Sequence, residues 1–153
     1  MLLTKEFVPM RKTKLNKYSK KEIPKLKRKL KKLFHAWVRS RDGNICISCN
    51  SKNGNQSGHF VADGVSGMTR FHPQNVNVQC PRCNLFESGN SYEYGKALDV
   101  KYGLGTADKL RHLSRNNNYQ DEVITLNELI LVLQNSPEDY EELYYDIFKK
   151  YEL

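Results

Sequence analysis

No run in this 153-residue chain approaches the roughly 18 consecutive apolar residues that a membrane-spanning helix needs, so a membrane partner is not expected. The opening residues, MLLTKEFVPMRK, place charges early and contain no long apolar stretch, which argues against a secretory signal. There are only four cysteines, and nothing implies an oxidising compartment, so a disulfide framework is not expected either. No internal repeat is evident. Acidic residues are scarce in the first quarter: residues 1–41 hold fifteen Lys and Arg but only Glu6 and Glu22. These absences leave a soluble cytoplasmic protein of one ordinary domain with arms. Its 39% apolar content allows a modest core.

The charge that is present is unevenly spread. The formal net charge is +8, yet residues 119–153 reverse the sign, with nine acids against Lys149 and Lys150. A basic run is often no more than a solvated surface. Concentrated at one end, it also suits sequence-independent contact with the phosphates of a nucleic acid.

Three stretches follow from patterning. Residues 1–41 form a basic arm and helix. The arm, through about residue 23, is too polar to pack, and from Pro24 a helix is predicted. There Leu26, Leu30, Leu33, Phe34, Trp37 and Val38 recur at helical spacing, and Lys25, Arg28, Lys29 and Lys32 stay in solvent. Asp42-Gly43 ends it. Residues 42–103 carry the chemistry, with extended pieces at 57–63 and 75–79 and a helix after Asn90, whose spacing to Glu93 reads as an N-cap signal. Residues 104–153 are an acidic helical extension. In it Thr106 can cap one helix, ITLNELILVLQ forms another, and Ser136-Pro137-Glu138 opens the last.

The pairs Cys46-x-x-Cys49 and Cys80-x-x-Cys83 are two knuckles, each closing a tight turn that aims two sulfurs at one point. Together they complete a tetrahedral sulfur shell for Zn²⁺. A redox CxxC would explain one pair and leave the other idle. With all four positions filled by protein sulfur, such a zinc has no place for a reacting water and serves as a structural staple.

Between and after the knuckles stand Gly58-His59-Phe60, then NVNVQC at 75–80, then Cys83-Asn84. This order resembles the HNH nuclease signature. The longer run GHF…TRFHPQNVNVQCPRCNLFESGNSYEYGKAL is similar to the NinG/Rap family of phage recombination endonucleases, over about residues 44–103. The fold the resemblance implies is α+β: a zinc-stapled ββα-metal (HNH/treble-clef-like) core with a basic N-terminal helix and C-terminal helices. The activity it implies is metal-dependent hydrolysis of DNA phosphodiester bonds in branched intermediates such as Holliday junctions or D-loops. Phage or prophage origin, in a bacterial host cell, goes with it.

The resemblance also implies roles. His59 is the candidate general base, and a neutral imidazole suits that task near pH 7. Asn75 matches the middle position, which orients the loop around the base. Asn84 matches the third, an oxygen ligand to catalytic Mg²⁺ or Mn²⁺, hard cations that prefer oxygen; a plain helix cap is its bland alternative. Many HNH enzymes carry a metal-binding aspartate where this chain has Gly58. Asp63, four residues beyond His59 and expected on the same strand face, is the substitute, with Asn90 and Glu87 as alternatives. At Asn77 relatives tend to have histidine, and His72 could partly replace it. His35 and His112 read as surface or packing residues.

For DNA contact Arg70 stands nearest the expected site, with Arg82, Lys96 and the lysine-rich helix as further candidates. The staple is expected to bring His59 and Asn84 to face one phosphate. A homodimer would suit a two-nick reaction, although no interface is legible. A less selective nicking nuclease and a non-catalytic zinc-ribbon DNA-binding protein are the competing readings.

Overall fold

Helix α1 (Ile23–Asp42) organises the molecule. A computed structural model of the chain describes residues 20–116 and 118–151; the basic arm over residues 1–19 lies outside the described residues. Pro24 sits in the first turn of α1, where its missing N–H costs nothing. Leu30, Phe34 and Val38, one helical turn apart, are wholly buried, and Leu26, Leu33 and Trp37 pack at the margins of the same core. Gly43 ends the helix at φ +67°, a left-handed conformation that favours glycine. The helix begins one residue before the expected Pro24 and is preceded by a 3₁₀ turn at Lys20–Glu22.

Strand β1 (Gln56–His59) pairs antiparallel with β2 (Val76–Gln79), Gln56 opposite Gln79 and His59 opposite Val76. Side chains alternate along a strand, so the hairpin has two distinct faces. Ser57, His59, Val76 and Val78 turn toward α1, where Ser57 Oγ donates to the His35 carbonyl at 3.1 Å. Gln56, Gly58, Asn77 and Gln79 turn toward the knuckles and the helix that follows. Both strands are short. In particular, β1 stops at His59 rather than reaching Asp63, because the chain turns over residues 63–65 into a short helix α2 (Gly67–Arg70).

After β2 comes a five-residue π-helical turn, Arg82–Phe86, then α3 (Ser91–Tyr102), α4 (Thr106–Leu113), α5 (Val123–Asn135) and α6 (Tyr140–Phe148). Two expected caps are replaced. Asn90 is left-handed at φ +45° and makes no capping bond; its side chain goes to Cys83 instead. Gly105 holds the cap position of α4, and Thr106, the first helical residue, donates to the Gly103 carbonyl. At Ser136 a 3₁₀ turn (Pro137–Asp139) precedes α6, with no side-chain cap.

The main core joins α1, β2, α5 and α6 with Met68 from α2 and Phe71 just after it. A smaller one holds Val61, Tyr94, Leu98, Ala107 and Leu110 between the loop, α3 and α4. The architecture is α+β, mostly helical around a two-stranded sheet. Among the described residues no helix is long and apolar enough to cross a membrane.

Candidate functional site

The four cysteines converge. Their sulfurs all lie within 4.8 Å of one another, and Cys49 Sγ is 3.7 Å from Cys80 Sγ. A zinc–sulfur bond of about 2.3 Å in a tetrahedron sets neighbouring sulfurs about 3.8 Å apart, so the quartet could hold one zinc ion. Each knuckle is shaped by its backbone: Asn50 N–H donates to the Cys46 carbonyl at 2.8 Å, with Asn50 itself left-handed, and Asn84 N–H donates to the Cys80 carbonyl at 3.0 Å. Hydrogen bonding from Ser51 lowers the Cys49 thiol to about 6, whereas burial pushes Cys83 up to about 12. A dication would favour the thiolate at both.

Gln79, with no exposure, ties the first knuckle to the turn that follows the second. Its Nε2 donates to Ser48 Oγ at 2.7 Å and to the Gly89 carbonyl at 2.8 Å. Its Oε1 is buried with no partner among the described residues and lies over Gly58: a Cβ there would come within 2.0 Å of it. A side chain at Gly58 would therefore have to displace the buried Gln79 amide. The side chain of Gln79 fills the space an aspartate would need. On the same face Asn84 Nδ2 donates to Gln56 Oε1 at 2.8 Å.

His59 lies on the opposite face. Its Nε2 is 3.0 Å from the Arg70 carbonyl. A carbonyl can only accept, so Nε2 carries the hydrogen, and in the neutral ring Nδ1 keeps its lone pair. Burial lowers the His59 pKa below 6.5, with Lys31 and Arg70 adding to the effect and Asp63 opposing it. The His35 ring faces it at 5.6 Å between centroids and is itself brought down to about 4 by burial and by His59. His35 is thus part of the surroundings of His59 rather than an isolated packing residue. Only the meeting of α1 with β1 reveals it, because the two lie 24 residues apart.

Beside His59 a pocket of about 260 Å³ opens between α1 and the loop, lined by Lys27, Arg28, Lys31 and Arg70 with Asp63, Gly64 and Phe71. Charges alternate along its edge. Lys31 pairs with Asp63, Asp63 with Arg70 Nε at 3.1 Å, Arg70 NH1 with Asp121 at 3.1 Å, and Asp121 with Lys27 at 2.9 Å. Asp63 reaches this place through the turn, not along the strand. Its carboxyl is held below the ordinary carboxylate range: burial works against this, but the Lys31 bond and the His59, Lys31 and Arg70 fields prevail.

The loop carrying the Arg70 carbonyl is pinned from two sides. Asn75, wholly buried, accepts from Val61 N–H at 2.8 Å and donates to the Val61 and Thr69 carbonyls at 3.0 and 2.9 Å. From α6, Tyr144 donates to the Met68 carbonyl at 2.6 Å and Tyr140 to the Phe71 carbonyl at 2.8 Å. The acidic C-terminal extension therefore braces the segment that orients His59, a role nothing in its sequence announced.

His59 and Asn84 make no contact with each other among the described residues: Asn84 bonds Gln56, whose side chain leaves the hairpin on the other face from His59, and His59 bonds the Arg70 carbonyl. Asn84 and Asp63 are each engaged by other side chains, Gln56 for the one and Lys31 and Arg70 for the other, so the residues present do not fit a Mg²⁺ or Mn²⁺ held by that pair. Asn90, bonded to Cys83, and Glu87, paired with Arg82, are likewise engaged. Nor does His72 replace a histidine at Asn77. His72 is buried against Tyr144 and Tyr145, whereas the Asn77 amide accepts from Arg41, Lys101 and Tyr102 and donates to Gln74 O and Tyr94 Oη.

Arg70 stands in the cationic pocket, and Arg28 lines it. Lys25, Lys29 and Lys32 are exposed along α1. Arg82 and Lys96 lie apart, paired with Glu87 and Glu93. Lys27, Lys31 and Asp121 were not singled out by the sequence, since periodicity alone does not tell which lysines of a basic helix face a loop.

These features define an α+β protein with a cysteine quartet and a half-buried imidazole near a cationic pocket. The family model described as Bacteriophage Lambda NinG protein matches residues 5–141. The chain belongs to the NinG family. No curated protein and no solved structure matches it.

Proposed function

We propose that the chain is a DNA endonuclease of the ββα-metal, HNH-like type, acting on branched recombination intermediates such as Holliday junctions or D-loops. The branched substrate follows from the resemblance to phage recombination nucleases; the chemistry is argued from side chains. One observation carries it: His59 is fixed through Nε2 to the Arg70 carbonyl, which makes Nδ1 the basic nitrogen of the neutral ring, and the Arg70 that holds it lines a pocket of cations. In hydrolysis a water gives its proton to Nδ1 while its oxygen bonds to phosphorus. The bond from phosphorus to a sugar oxygen breaks, and that oxygen takes a proton from solvent. Lys27, Lys31 and Arg70 would offset charge on the phosphate, Arg70 as a fork. Asn75 would act by holding the loop. The zinc staple would support the hairpin without touching the reaction.

The lack of any contact between His59 and Asn84 among the described residues favours a second reading, a non-catalytic zinc-stapled DNA-binding protein. One experiment divides the two, and also tests the metal requirement that the resemblance implies. Linear, nicked and four-way DNA are incubated with the zinc-loaded protein and with His59→Ala, in Mg²⁺, in Mn²⁺ or without added divalent ion. Junction cleavage with a divalent metal, lost in the variant, is expected. Equal cutting of every substrate would point to a less selective nicking nuclease. Binding without cutting, or a fully active His59→Ala protein, would overturn the proposal.

A further inference from the structure

We propose that the pocket between α1 and residues 63–71 is a binding site for one phosphodiester group of DNA, and that Asp121 is a carboxylate placeholder which that group displaces. This rests on the reading above only for the nature of the ligand, not for any cleavage.

The pocket gathers four cations on its lining against one acid, Asp63. Crowding like charges is unfavourable, and the segment between α4 and α5 supplies a second acid from far along the chain. One oxygen of Asp121, Oδ2, bridges the Lys27 ammonium at 2.9 Å and the Arg70 guanidinium at 3.1 Å. That is the contact an anionic phosphate oxygen would make with the same two groups. The carboxylate is held there by packing as well as charge. The Tyr119 ring lies so close to Gly67 that a Cβ there would fall 2.7 Å from it, and it packs on Phe148 and Tyr151 with centroids 5.0 and 5.4 Å away.

The two acids are not equivalent. Asp63 takes Arg70 Nε with both its carboxylate and its backbone carbonyl, at 3.1 Å each. It therefore keeps the guanidinium oriented when NH1 is released. Asp121 occupies NH1, the corner a phosphate would take, and leaves it without disturbing the loop. Displacing it costs two partly exposed ion pairs, a modest barrier.

The test is binding without turnover. A fluorescein-labelled short duplex is titrated with the full, zinc-loaded chain in buffer without added Mg²⁺ or Mn²⁺, and anisotropy is read at several salt concentrations. Asp121→Asn should bind about fivefold more tightly, from the ordinary strength of two such pairs. Lys27→Gln should bind more weakly, with a salt slope shallower by about one, and the gain from Asp121→Asn should shrink to about twofold on that background, where only the Arg70 pair is left to release. An Asp121→Asn protein that melts like the wild type and binds no tighter would overturn the proposal. If Asp121→Asn fails to fold, the wild type decides: inorganic phosphate should raise its melting temperature above chloride at equal ionic strength, and Lys27→Gln should abolish the difference. No difference in the wild type would overturn the proposal too. A protein that binds as described but cuts no DNA would sink the nuclease and leave this site standing.

Discussion

Replacing Asn75 by aspartate separates the hydrogen-bonding role of this residue from its size. The new side chain has nearly the same shape and can still accept from Val61 N–H. It loses the amide hydrogens that satisfy the Val61 and Thr69 carbonyls, and both then face an oxygen inside a site with no solvent exposure. A buried group stripped of its partner costs about 1–3 kcal/mol, so Asn75→Asp should lose about 2–6 kcal/mol, a large share of the roughly 5–15 kcal/mol of a typical domain. Protonating the carboxyl would return one donor, so the folded-state pKa of the new aspartate should rise above its unfolded value of about 3.9. A group raised in this way loses stability as pH climbs through its folded pKa, and the variant should be less damaged near pH 5 than near pH 8. Urea unfolding at both values reads the effect. In the surviving fold the imidazole of His59, less well buried, should titrate closer to 6.5 by NMR. A variant within about 0.5 kcal/mol of the wild type at both pH values would refute the reasoning that this amide holds the loop.

Restoring an aspartate at Gly58 should destabilise the protein by about 1–3 kcal/mol, the usual range for overpacking, because Gln79 already fills the space; a stable Gly58→Asp variant would show that Gln79 moves freely. Stripping metal with a chelator, or changing Cys80 to serine, should abolish cooperative unfolding, since structural zinc contributes on the order of 10 kcal/mol to folding; a melting curve indifferent to the chelator would exclude the staple. His72 is buried and lowered to about 3 by that burial, with a smaller effect from Lys109. Its folded pKa lies below the unfolded 6.5, so the stability tied to its neutral form is complete above 6.5 and drains away as pH falls toward 3. By pH 5 the loss should reach about 2 kcal/mol. A His72→Gln protein with the same acid sensitivity as the wild type would assign that loss elsewhere.

The spacing of the cysteines was enough to anticipate the quartet. Two CxxC turns can each present both sulfurs to one point, whatever the rest of the chain does. The buried stripe of α1 was equally legible, because Leu30, Phe34 and Val38 mark one face of any helix that contains them. Asp42-Gly43 marked its end for a local reason as well, since the left-handed turn suits glycine. The termination of β1 at His59, by contrast, required knowing that the chain turns back over residues 63–65. That turn removed Asp63 from the strand and carried it to Lys31 and Arg70 by another route. The placement of Asn84 was also hidden: strand alternation puts Gln56 and His59 on opposite faces, but only the packing of the second knuckle shows that Asn84 reaches for Gln56. Likewise Tyr140, Tyr144 and Asp121 look from their sequence like parts of an acidic helical tail. They acquire roles because α5, α6 and the segment before them fold back on α1 and meet a loop some fifty to seventy-five residues earlier. Local geometry is encoded within a few residues and can be read from them; which side chains share a pocket depends on contacts between distant segments, and those are fixed only when the cores close.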